Sequence, residues 1–473
     1  MGRRPVAPKL PYGATSVMVL VKNDQNVEVN TAGGSSLTAH HGAVPSAKAL
    51  ARSPRGRLSR SGQRPPCPNA PDVSDFTAWS NCYSPPNFRV LQAPLRTTVQ
   101  VNCMLESTEV FFAVHRPFML GRSFLPEFHS VVRRLFARSP QVLADAYTVA
   151  MSLLSSRHAT FRGLDEHDLA IGIHCLERLM GSPSCISRAE DAAVILLLGQ
   201  AMHVYNELIP TPDSQIITRG TLLSVQRWFP SLLERPDLDV VTLTPVLTDT
   251  VECLIRREIP VIRVPTATRC IVDRFAGLSS SLLPLLYELC ERSYEAKLNG
   301  TEPSLVDAER IPYPDKDPYH DIECKISRWQ PQLPPHFFTK YSSFEVSVIL
   351  AQAQCYRLAA LLVIHRLRFP LGVEDAAAQV YAGEILHELS LLKSWPADAA
   401  TGLALDFPLL VATLEQPEPG IEIYKAFEPF RFRRQHSLEL LDFIHFVTTQ
   451  RQSGFKGLWF DLARNQLLGV TLT

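Results

Sequence analysis

The feature that most constrains the fold is the run from Ser342 to Arg368. Its apolar residues Val346, Ile349, Leu350, Ala353, Leu358, Leu361 and Leu362 recur at helical steps but spread around nearly the whole circumference. A helix apolar on every side has to be covered by other elements, so the spacing predicts a long central helix, stopped by Pro370. Its longest uninterrupted apolar stretch, Leu358 to Ile364, lies between Arg357 and His365-Arg366. That is well short of the roughly 18 residues a membrane span needs, so no membrane partner is expected.

Enough helices to bury such an element can be read around it. Ser139-Pro140 reads as the N-cap and first residue of a helix through Val142, Ala146, Val149 and Leu153. The acids of Asp165-Glu166-His167-Asp168 suit the positive end of a second. Ser187, with Glu190 three residues on, reads as a capping box for a third. Thr244-Pro245 opens one ending near Arg257, and Ser280 to Leu298 forms another that stops at Gly300. Beyond Pro370, helices are expected at about 373–395, 405–416, 437–452 and 457–467. Alternating β-branched runs are scarce after residue 105. The expected class is all-α: a large multi-helix domain over 105–473, a linker over 76–104, and a disordered tail over 1–75.

The tail assignment rests on composition. Residues 1–75 are rich in Pro, Gly, Ser, Ala and Arg, and cannot bury enough apolar surface to offset chain entropy. They carry ten basic and four acidic side chains in a chain whose formal net charge is zero, so basic character is concentrated there. Arg52, Arg55, Arg57, Arg60 and Arg64, interleaved with Ser, Gly and Pro, form a positive arm suited to phosphate contact or nuclear targeting. The arm lacks aromatics for base stacking and the helical spacing a DNA groove requires. Met1-Gly2-Arg3-Arg4 leads into Pro-broken sequence, and no signal peptide is expected.

Residues capable of catalysis or metal binding are sparse. The ten cysteines never come closer than ten positions, whereas local zinc sites present thiolates two to four residues apart. Glu384-x-x-His387 with Glu388 has the i, i+3 spacing of di-iron bundles, but a second such motif is missing, and a solvated helix face is the favoured reading. Asp165, Glu166, His167 and Asp168 are explained by helix capping. Phosphate-binding glycine loops, nucleophile elbows and His-Glu-x-x-His are absent, as is the Asp-Asp pair expected of a terpene synthase. His174, His203 and His365 lie in apolar helices and read as satisfied core or boundary residues. No catalytic residue, cofactor or metal is expected.

Several segments in order carry a resemblance: Cys253-Leu254-Ile255-Arg256-Arg257-Glu258-Ile259-Pro260-Val261-Ile262-Arg263, then Val272-Asp273-Arg274-Phe275-Ala276-Gly277-Leu278, then Ser281-Leu282-Leu283-Pro284-Leu285-Leu286-Tyr287-Glu288-Leu289-Cys290. They are followed by Ile326-Ser327-Arg328-Trp329-Gln330-Pro331, the long helix from Gln352 to Pro370, Phe407-Pro408-Leu409-Leu410-Val411-Ala412 and Gly457-Leu458-Trp459-Phe460-Asp461-Leu462. The series resembles the regulatory domain of fungal transcription factors of the zinc binuclear cluster family, over roughly 105–473. Physically, Pro284 is expected to kink an apolar helix, and Arg256, Arg257, Arg357 and Arg366 to pair with carboxylates such as Glu258 or Asp273.

The resemblance implies a nuclear transcription regulator of metabolic genes, acting with other transcription regulators or with itself as a dimer. The six-cysteine zinc cluster that reads DNA in that family is absent here, since Cys67 and Cys82 alone occupy its region. Contact with DNA is therefore expected only indirectly or weakly, through the basic tail. The alternative is a cytoplasmic helical ligand-binding protein or enzyme using an internal cavity.

Overall fold

The structure, a computed structural model, describes residues 95–155, 166–181, 186–206, 215–266, 269–300, 317–392, 404–427 and 434–467. The chain divides at Pro86 into two units, and all described residues belong to the second. Of the interpretable part, 79% is helical with no strand or sheet, which establishes the all-α class. The tail over 1–75, including Arg52, Arg55, Arg57, Arg60 and Arg64, lies outside the described residues.

Helices of at least eight residues are numbered here. They are α1 (Leu95–Glu106), α2 (Thr108–His115), α3 (Leu125–Arg138), α4 (Pro140–Ser155), α5 (Glu166–Gly181), α6 (Ala189–Asn206), α7 (Gln215–Val225) and α8 (Thr244–Arg256). After a strap come α9 (Leu283–Leu298), α10 (His320–Arg328), α11 (Ser343–Arg368), α12 (Asp375–Leu392), α13 (Asp406–Glu415), α14 (Pro417–Phe427), α15 (Arg434–Gln452) and α16 (Trp459–Gln466). Helix α1 begins inside the span expected as linker, because Val101 and Met104 are one apolar face buried in the core.

The first helices gather around α6, which packs on α4, α5 and α7, and the later ones around α11 and α13. Helix α8 links the groups, touching α7, α9 and α16. Among the described residues, three helices are the most fully enclosed: α8 is buried from Pro245 to Ile255, α13 throughout, and α11 along most of its length. By length and composition alone, α11 could cross a membrane, but 72% of its apolar window is buried inside the protein as a core helix. That matches the central helix the sequence predicts.

The start of α11 explains how it is held. Ser342 Oγ accepts the Glu345 amide at 3.3 Å, and Glu345 Oε2 accepts the Ser342 amide at 2.8 Å, forming a capping box. The same carboxylate accepts the Ser123 amide at 2.7 Å and the Ser123 hydroxyl at 2.6 Å, tying the central helix to the segment before α3. A Cβ at Gly121 would overlap Glu345, so this approach requires glycine.

Three local expectations change. Pro284 does not kink a helix: a 3-10 turn over Leu278–Leu282 precedes it, and it sits in the first turn of α9, where its missing amide costs no helical bond. At α6 the capping carboxylate is Asp191, which accepts the Ser187 amide at 3.0 Å and hydroxyl at 2.7 Å, while Glu190 binds Arg235 at 2.6 Å. One extra residue before the helix shifts the box by one position. Lastly, α14 follows α13 at once, with Pro417 as its first residue, where the sequence reading stopped.

Candidate functional site

Among the described residues, no three His, Cys, Asp or Glu side chains group as a metal site. Glu384 and His387 lie exposed on α12, the solvated face expected for them. Asp165 lies outside the described residues, and Glu166 to Asp168 form the first turn of α5. His203 lies 3.3 Å from the Thr218 hydroxyl, and His174 lies 3.8 Å from Glu177. The ring of His365 meets the Glu374 carbonyl at 3.0 Å, and burial pushes its pKa down.

The most concentrated polar group sits where the strap between α8 and α9 crosses the core. Asp273 and Gly277 exchange backbone hydrogen bonds of 3.1 and 3.0 Å, closing a tight loop that needs the positive φ of Gly277. Asp273 Oδ1 accepts the Phe275 and Ala276 amides at 2.8 and 2.7 Å. Arg274 is fully buried. Its Nε donates to the Val240 carbonyl at 2.7 Å, its terminal nitrogens donate to the Phe118 carbonyl and Gln200 Oε1, and its guanidinium stacks 4.2 Å from the Phe128 ring centre. Beside it His115, pushed down to about 3 by burial, bridges the Phe111 carbonyl at 2.9 Å and the Tyr147 hydroxyl at 3.2 Å.

By residue type, Asp, Arg, His and Tyr would suit a catalytic centre. By exposure they are sealed, with Asp273, Arg274, His115 and Tyr147 all buried. A group that meets no solvent meets no substrate, and here these side chains join the strap to α2, α3, α4 and α6. Burial raises the Asp273 carboxyl and lowers the Arg274 guanidinium, each partly offset by the other's charge. A carboxyl raised in the folded state contributes stability that is full below its ordinary value of about 3.9 and falls as pH rises above it. Asp273→Asn keeps an oxygen for the two amides and carries no charge. Its melting temperature is therefore expected above wild type at pH 7, with the gap closing toward pH 4. A variant less stable than wild type at pH 7 would show that the carboxylate is stabilising.

Two other charged clusters are structural in the same sense. Arg219 reaches Asp249 at 3.2 Å, Cys253 Sγ at 3.0 Å and Glu258 at 3.8 Å, while Asp249 Oδ2 accepts the Val261 amide at 2.6 Å. Burial pushes the Cys253 thiol well up, which disfavours the thiolate form. Arg366 makes a bidentate pair with Glu415 at 2.6 and 2.5 Å and bonds Asp375 at 2.7 Å. The expected partners Glu258 and Asp273 are thus replaced by Glu415, which lies far along the sequence. Arg256 approaches Glu252 at 3.9 Å, Arg257 binds the Ser293 hydroxyl and carbonyl at 3.1 Å each, and Arg357 binds Gln354 and the Ser327 carbonyl.

On the surface, Pro126, His129, Ser130, Arg133 and Arg134 line an open cleft of about 420 Å³ on one face of α3. Arg134 is paired with Asp237 at 2.7 Å, and the His129 ring contacts the Leu105 carbonyl at 2.8 Å. Sequence reading missed this cleft, although its i, i+3, i+4, i+7 and i+8 spacing marks one helical face. No protein-family model, curated protein or solved structure matches this chain.

Proposed function

We propose that the chain is a transcription regulator of the fungal zinc-cluster type lacking its own zinc cluster, which acts in the nucleus through its helical domain. The observation that carries this reading is the ordered series of segments from Cys253 to Leu462, which resembles that family's regulatory domain. An all-helical body is compatible with it, and the resembling segments form the end of α8, the strap, the start of α9, the central helix α11 and the enclosed α13. Its partners are other transcription regulators or a second copy of itself. Contact with DNA runs through those partners or through the basic arm at Arg52, Arg55, Arg57, Arg60 and Arg64. No observation favours a cavity enzyme over this reading.

Two measurements test the proposal. The chain, fused to an unrelated DNA-binding module, should change transcription of a reporter bearing that module's site, and an inert fusion would remove the regulatory reading. A fluorescently tagged chain should accumulate in nuclei, and replacing the five arginines by Ala should lower the nuclear-to-cytoplasmic ratio several-fold. An unchanged ratio would remove the targeting role of the arm.

A further inference from the structure

The cleft on α3 holds more positive charge than the acids around it neutralise. His129, Ser130, Arg133 and Arg134 fall on one side of the helix, beyond Pro126 in its first turn, and border about 420 Å³. Arg133 is exposed and has no hydrogen-bond or ion-pair partner among the described residues. Arg134 is matched only in part. Its partner Asp237 is already gripped by Arg235, whose Nε and Nη2 donate to the two carboxylate oxygens at 2.9 and 3.0 Å. Arg235 in turn donates to Glu190 at 2.6 Å. Three guanidiniums thus meet two carboxylates, which leaves one positive charge in excess at the cleft. Glu127, the acid beside Pro126, reaches Lys340 at 3.8 Å and does not line the cleft.

The other lining groups add hydrogen-bonding capacity to that charge. His129 is only 9% exposed and its ring is fixed, with Nε2 donating to the Leu105 carbonyl at 2.8 Å and the ring centre 4.6 Å from that of Phe111. A carbonyl can only accept, so Nε2 carries the proton and Nδ1 is the ring nitrogen left without a protein partner. Ser130 contributes an exposed hydroxyl. A guanidinium fork and a hydroxyl donate to phosphate oxygens, and a fixed Nδ1 accepts from an alcohol. We propose that this cleft binds a small phosphate monoester that carries alcohol groups, with its phosphate on Arg133 and Ser130 and an alcohol on His129. The volume suits a small ligand. One surplus charge suits a single phosphate, whereas a nucleic-acid backbone is held through several phosphates at once. The inference goes beyond the proposed function and does not rest on it.

The test is isothermal titration calorimetry on the full chain at low salt, with glucose 6-phosphate as the probe. The expected result is one saturable site per chain that weakens as salt rises. Glucose, which lacks the phosphate, should not bind, and inorganic phosphate, which lacks the alcohols, should bind several-fold more weakly. Arg133→Ala should weaken binding about tenfold or more, and Arg133→Lys less, because an ammonium keeps the charge but loses the fork. Arg133 has no protein partner to lose, so unchanged thermal melting shows that both variants fold. Arg328→Ala, which removes an exposed arginine on α10, should leave binding unaltered. Absence of a saturable site, full affinity in Arg133→Ala, or an equal loss in Arg328→Ala would overturn the proposal. So would inorganic phosphate binding as tightly as the ester, or a short DNA duplex displacing the ester at lower concentration, since the cleft would then take a bare anion or a nucleic-acid backbone.

Discussion

Glu415→Ala should destabilise the helical domain by about 3–5 kcal/mol, the usual cost of leaving one member of a buried ion pair alone. Both partners are enclosed: the side chains of Arg366 and Glu415 are each 1% exposed. The pair joins the end of α11 to the end of α13, and Asp375, at the start of α12, binds both Arg366 and Arg451. Removing Glu415 leaves a guanidinium in the core with the carbonyls of Pro370 and Val373 and half of a shared carboxylate. Urea unfolding followed by circular dichroism measures the loss. The double variant Arg366→Met/Glu415→Leu should recover most of it, since two apolar side chains of similar volume remove the desolvation cost along with the attraction. A single-variant loss under about 1 kcal/mol would mean that Asp375 alone satisfies Arg366.

The second large effect is expected at Arg274→Met. Methionine fills much of the volume but leaves the Val240 and Phe118 carbonyls and Gln200 Oε1 without their donor, inside a core where each orphaned acceptor costs about 1–3 kcal/mol. A total loss of about 3 kcal/mol or more follows, even after the departing charge is credited for its own desolvation. Arg274→Lys should rescue little, because an ammonium cannot span three acceptors in the plane of a guanidinium or stack on Phe128. The variant also removes the cation beside Asp273, so the carboxyl rises further. Added to Asp273→Asn, it should therefore cost less than it does in wild type. Equal costs in the two backgrounds would show that the neighbouring charges do not interact.

Legibility followed the range of the interactions. The helices opened by Pro140 and Thr244-Pro245, the helix end near Arg257 and the central helix are set by groups within a few residues of one another, so sequence placed them closely. The central helix was recognisable for the additional reason that its apolar residues surround it. Expectations slipped where one residue changes the outcome. Asp191 displaced Glu190 as the capping carboxylate, and Pro284 opened a helix that it had been expected to bend.

The sequence by itself determined that the described part of the chain is all-helical and encloses the run from Ser342 to Arg368, because periodicity and burial on all sides admit no other element there. It also excluded any close cysteine pair. Tertiary structure alone decided which charges meet. Arg366 finds Glu415 across 49 positions, Arg274 reaches Phe118 across 156, and Glu345 reaches Ser123 across 222. Such partners depend on how helices stack, and the energy of a buried charge depends on what encloses it, which no local spacing encodes.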